Sequence, residues 1–191
     1  MAEPSARRYS LADLTRGRRL ALASIVLVGA FFFGKWLGDR NAPYERAVEG
    51  DRAPTFTGVT LAGDTLSLES FRPEPVLLNI WATWCLPCVR EMPGLDSLHA
   101  EYGPHGLHVI GVSVDDPGSE EEVAEFLRVR GIGYPSIFDP SQVVNELFFT
   151  FGVPETFLID GKGRITRHWS GMILAGSAGV RSEIEKVLPS R

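Results

Sequence analysis

The chain has two cysteines, Cys85 and Cys88, held two residues apart in Trp81-Ala82-Thr83-Trp84-Cys85-Leu86-Pro87-Cys88. Two thiols at this spacing can close a disulfide between neighbouring turns of backbone, and a thiolate can reopen one in a partner. That is thiol–disulfide exchange, and it needs no cofactor. Two other uses of the pair are weaker. Zinc normally takes four ligands; there is no second cysteine pair, and His99, His105, His108 and His168 show no ligand spacing, so no metal is expected. A purely structural disulfide closing so small a loop would restrict little of the unfolded chain.

What makes one thiol reactive is the element that holds it. Val76-Leu77-Leu78-Asn79-Ile80-Trp81 is an apolar run of strand length, and Val89, Met92, Leu95 and Tyr102 recur at helical spacing beyond the pair. The spacing predicts a strand, then a helix over about 85–102, kinked at Pro93. Cys85 then faces the free N–H groups and positive end of the helix, which lower a thiol pKa. Cys85 is the expected exposed nucleophile, and Cys88, one turn in, the more buried resolving thiol.

Around this unit the pattern predicts a hairpin (55–60 and 65–68) about Gly63-Asp64, and a strand over 107–114. Ser119-Glu120-Glu121-Glu122 reads as a capping box. It opens a helix carrying Val123, Phe126 and Leu127 that ends near Gly131. A short strand (134–138), a short helix (141–149), a hairpin (156–160 and 164–169) about Gly161-Lys162-Gly163 and a last helix marked by Val180, Ile184, Val187 and Leu188 follow. The stripe Leu147, Phe148, Phe149, Phe151 reads as core. The fold class is α/β, a mixed sheet flanked by helices.

The 191 residues divide into four segments. Residues 1–19 carry Arg7, Arg8, Arg16, Arg18 and Arg19 against Glu3 and Asp13, and 20–38 are apolar or small apart from Lys35 and Trp36 near the end. This is a transmembrane anchor with a cytoplasmic N-terminus by the positive-inside rule. No small-residue cleavage pattern follows it, so an uncleaved anchor is expected. Residues 39–50 read as a linker and 51–191 as the folded domain. That domain has 11 Lys and Arg against 19 Asp and Glu, a net charge of −8, which argues against nucleic acid as a partner.

Trp81-Ala82-Thr83-Trp84-Cys85-Leu86-Pro87-Cys88-Val89-Arg90-Glu91-Met92-Pro93 resembles the active-site signature of the membrane-anchored thioredoxin-like proteins of the TlpA, ResA and DsbE (CcmG) group, in the redoxin or AhpC/TSA superfamily. Gly152-Val153-Pro154-Glu155-Thr156-Phe157-Leu158-Ile159-Asp160 resembles that group's cis-proline segment and is most similar to DsbE. The resemblance spans roughly residues 51 to 188. It implies a thioredoxin-like fold with an N-terminal hairpin and a central strand–helix insert. It implies that Pro154 is cis and faces the cysteine pair, that Val153, Pro154 and Glu155 with Trp84 bind substrate, and that Glu91 lies partly buried beneath the pair and takes the proton of Cys88. Thioredoxin itself has an acid six residues before its first cysteine; Asn79 stands there here, which shifts proton handling to Glu91. Phe149 and Thr150 replace a glycine and a valine of the group's pattern.

The resemblance implies a tethered oxidoreductase on the periplasmic or extracytoplasmic side of the inner membrane. It would act as a reductant of exported disulfide proteins, such as apocytochrome c, with an integral-membrane thiol carrier as electron donor. The alternatives are a peroxiredoxin-like peroxidase, disfavoured because Trp84 rather than Thr precedes Cys85, and a copper-delivery protein, which would need CxxxC and a positioned histidine.

Overall fold

The computed structural model describes residues 27–31, 33 and 47–189. The chain forms two compact units, Met1–Tyr44 and Glu45–Arg191. In the first, the described residues are helical, with Leu27, Val28, Phe31 and Phe33 exposed. Among the described residues no helix is long and apolar enough to cross a membrane; most of the expected anchor, 20–38, lies outside them.

In the second unit, five strands form a mixed sheet in the order β5-β4-β3-β6-β7. The central strand β3 (Val76–Trp81) is buried along its whole length, which is why its sequence is apolar at every position but Asn79 rather than alternating. It pairs in parallel with β4 (His108–Ser113) and antiparallel with β6 (Glu155–Ile159). β5 (Ser136–Phe138) adds to β4 in parallel, and β7 (Ile165–Ser170) to β6 antiparallel. A separate hairpin, β1 (Thr57–Val59) and β2 (Thr65–Ser67), is tied to β5 by a bridge between Thr60 and Ile137.

Helix α1 (Leu86–Tyr102) starts at the cysteine pair, with Cys85 as its N-cap and proline in its first turn, where the missing N–H costs nothing. Cys88, Glu91, Met92, Leu95, Leu98 and Tyr102 form its buried face. Pro93 lies inside the helix, and the Ser97 hydroxyl donates to the Pro93 carbonyl at 2.8 Å. Leu95 and Leu98 pack with Leu77 and Leu158 on one side of the sheet, while Leu78, Ile80, Met92, Phe148 and Phe157 belong to the core cluster that also holds both cysteines. Each such fully buried apolar side chain contributes about 1.5–3 kcal/mol.

Helix α2 (Glu120–Arg130) is closed by Gly131 at φ 65°, whose N–H reaches Leu127 and Arg128 carbonyls. The expected capping box is not formed. Ser119 makes no side-chain cap, because its hydroxyl donates instead to the Asp116 carbonyl at 2.7 Å; the three acids still sit in the first turn, where the helix dipole favours them. Helix α3 (Val143–Phe148) is shorter than expected, bounded by Gln142 and Phe149 in left-handed conformation. The apolar stripe divides accordingly. Phe148 is core, but Phe151 lies past the helix end and is 99% exposed. Helix α4 (Ala178–Val187) is capped by the Ser177 hydroxyl, which accepts from the Val180 N–H. One close approach needs glycine: a Cβ at Gly111 would stand 2.9 Å from both Ser136 Oγ and Trp81 Nε1, which are hydrogen-bonded to each other at 3.1 Å.

Candidate active site

Cys85 and Cys88 are joined by a disulfide at the start of α1. The turn after β3 closes with the Cys85 N–H donating to the Ala82 carbonyl at 3.2 Å. The Cys88 N–H then points at Cys85 Sγ, 3.2 Å away. Once the disulfide opens, this N–H and the helix end would stabilise a thiolate on Cys85. Cys88 is completely buried, and Cys85, expected to be exposed, is buried as well at 5% exposure, so it is the more accessible of the two only by a narrow margin. Leu86 and Trp84 beside it are largely exposed.

Across from the disulfide, Cys85 Sγ lies 3.6 Å from the Val153 carbonyl. The Val153–Pro154 peptide bond is cis, as the resemblance implied. A second cis bond, Arg72–Pro73, had no sequence signal. Val153 and Pro154 therefore stand against the cysteine pair, and Trp84 projects from its rim.

Glu91 sits one turn beyond Cys88 and is buried beneath the helix start. Its carboxylate accepts the Asn79 Nδ2 amide at 2.8 Å and the Ile173 N–H at 2.8 Å. Asn79 also donates to Thr156 Oγ1 at 3.0 Å, so neighbouring strands β3 and β6 together hold the acid. Burial pushes the Glu91 carboxyl up to about 7, against the two hydrogen bonds that favour its charged form. A group poised there can hold or release a proton near neutral pH.

Glu155 is the buried first residue of β6, opposite Ile80. Its carboxylate accepts from the Ser170 hydroxyl at 2.8 Å and meets His168 Nε2 at 2.6 Å. The His168 ring stacks on Phe157, with centroids 4.2 Å apart. Glu155 thus forms the floor of a recess of about 420 Å³ whose wall includes Phe151, Val153, Pro154 and His168.

Sequence reasoning missed Asp115. It is buried at the end of β4 and receives the Thr83 N–H at 3.1 Å on each oxygen, the Thr83 hydroxyl at 2.6 Å and the Ser113 hydroxyl at 2.7 Å. The available signal was Ser113 and Asp115, two polar residues at alternate positions where the apolar run 109–114 ends.

A buried strand running into a helix capped by a disulfide, with a cis-proline beside the sulfur and a buried acid beneath it, defines a thioredoxin-like thiol–disulfide oxidoreductase. Residues 49–168 match the AhpC/TSA family, and the chain belongs to it. It is 32% identical over 154 residues to the thiol-disulfide oxidoreductase ResA of Halalkalibacterium halodurans, covering 80% of this chain and 84% of that one. It is 33% identical to ResA of Geobacillus kaustophilus over 171 residues, covering 90% and 91%. Among solved structures, a Chlorobium tepidum protein assigned as a DsbE thiol:disulfide interchange protein superposes with a TM-score of 0.67 at 27% identity, covering 73% of this chain and 97% of that one. The protein is thus a thiol–disulfide oxidoreductase of the ResA and DsbE type.

Proposed function

We propose that this oxidoreductase works as a membrane-tethered reductant outside the cytoplasm. On this reading Cys85 thiolate attacks one sulfur of a disulfide in an exported protein, forming a mixed disulfide and releasing the substrate's other sulfur as thiolate. Cys88 then gives its proton to Glu91 and attacks Cys85 Sγ. The second substrate thiol leaves, and two electrons have passed from the dithiol to the substrate. The substrate chain would lie extended along Val153 and Pro154, adding a strand beside the disulfide, with Trp84 and Glu155 at its flanks. The observation that supports the exchange steps is the buried Glu91 one turn beyond a fully buried Cys88, where Cys88 loses or regains its proton in either direction of flow.

Apocytochrome c awaiting haem is the substrate class the DsbE-like Pro154-Glu155-Thr156-Phe157 segment favours. An integral-membrane thiol carrier would return the electrons, and residues 20–38 would hold the domain at the membrane. Trapping of thiols with an alkylating agent in intact cells tests the direction of flow. Cys85 and Cys88 should be recovered mainly as the dithiol; recovery mainly as the disulfide would make the protein an oxidant. Carbonate-washed membranes should retain the full-length chain, and a soluble shortened form as the main species would remove the tether.

A further inference from the structure

Resting on the exchange reading of the cysteine pair, we infer that Asp115 is a positioning residue that sets the redox equilibrium of that pair through the turn carrying Cys85. Besides the Cys85 contacts with the Val153 carbonyl and the Cys88 N–H, the turn Ala82–Cys85 is held from outside at Thr83. Thr83 gives both its N–H and its hydroxyl to the Asp115 carboxylate, and the neighbouring Ser113 hydroxyl completes the cluster. The Asp115 N–H returns to Ser113 Oγ at 3.3 Å, and the Val114 N–H donates to the Trp81 carbonyl at 3.0 Å. The end of β4 is thereby locked to the end of β3 and to Thr83, two residues before the nucleophile.

Ser113 and Asp115 are buried and Thr83 half-buried, and among the described residues the Asp115 carboxylate meets hydroxyl and amide donors and no cation. A buried charge satisfied only by neutral donors keeps a field around it, because little solvent screens it. The disulfide form has no charge at Cys85, whereas the reduced form draws stability from a thiolate at the helix start. A negative group fixed behind that turn therefore disfavours the reduced form. It makes the dithiol a stronger reductant than the helix end alone would.

Two substitutions move this balance in opposite directions. Asp115→Asn keeps the shape and an acceptor for Thr83 but removes the charge, so the dithiol should gain. Ser113→Ala keeps the charge and removes one donor that disperses it, so the disulfide should gain. A scaffold with no electrostatic part would loosen in both variants and shift both the same way or neither.

The measurement is equilibration of the full-length protein with mixtures of reduced and oxidised glutathione at one neutral pH, where dithiol and glutathione disulfide exchange to protein disulfide and two glutathione thiols. Asp115→Asn should shift the equilibrium constant toward the dithiol by about three- to tenfold, tenfold being roughly 30 mV for two electrons. Ser113→Ala should shift it the other way by about two- to threefold. Both constants equal to wild type, or both moved in one direction, would overturn the inference. If Asp115→Asn does not fold, Ser113→Ala decides it alone, and a shift toward the dithiol or no shift is the contrary result. A wild-type protein that does not exchange with glutathione at all would instead remove the reading of the site on which this rests.

Discussion

The two sides of the disulfide are built on opposite terms. On the inner side, Cys88, Glu91, Asn79 and Thr156 are buried among β3, β6 and α1, and the acid meets only neutral donors. On the outer side, Trp84, Leu86 and Phe151 are exposed, and the acid, Glu155, has an imidazole partner with one face stacked on Phe157. Dry surroundings and neutral donors leave Glu91 able to exchange a proton near pH 7. Exposed apolar rings on the other side cost solvation and are useful only when something covers them. The inner side suits proton handling, and the outer side suits contact with a chain.

Breaking the two cysteines separates these sides most sharply. Cys88→Ser should trap substrate proteins as mixed disulfides on Cys85, whereas Cys85→Ser should trap none and lose all activity; non-reducing gels of the two variants read this directly. Equal trapping by both would mean that the inner and outer thiols are interchangeable.

The next effect is on stability. The Glu91 carboxyl rises from 4.5 to about 7 on folding, so between those values the folded protein holds a proton the unfolded chain has released. The favourable contribution is complete below 4.5 and is lost as pH rises through 7, a loss of about 3 kcal/mol. Urea unfolding of wild type from about pH 5 to about pH 8 should show that decline, and Glu91→Gln should flatten it. An equal slope in the variant would place the proton elsewhere.

Smaller effects belong to the outer side. Phe151→Ala should raise KM for a protein disulfide by about three- to tenfold, the cost of one rim apolar contact of roughly 1 kcal/mol, while kcat stays within twofold. His168→Gln should weaken the Glu155 floor and shift KM the same way by less. A fall in kcat from either change would give the outer residues a part in the chemistry.

Much of the fold was legible because its cues are local. The apolar run of β3, broken only by Asn79, the Gly63-Asp64 and Gly161-Lys162-Gly163 turns and the 3.6-residue spacing of α1 each act within one element. So did the paired motifs around Cys85 and Pro154. Less legible were features set by distant partners. Ser119 looked like a cap, but its hydroxyl donates to the Asp116 carbonyl three residues back instead. Nothing in the neighbourhood of Glu155 announces its partner His168, 13 residues on. Asn79 gave no hint that it bridges Glu91 and Thr156, separated from it by 12 and 77 residues. Phe151 kept the apolar rhythm of α3 although the chain leaves the helix at Phe149 in left-handed conformation.

The central claim is that the buried acid beneath the pair takes the proton that Cys88 must lose. The rate of disulfide reduction by the full-length protein, measured against pH for wild type and Glu91→Gln, tests it most directly. Near neutral pH the variant should be slower by about ten- to a hundredfold, and its profile should lose the inflection near 7 that wild type owes to Glu91. Superimposable profiles would contradict the account and leave Glu91 as a packing residue.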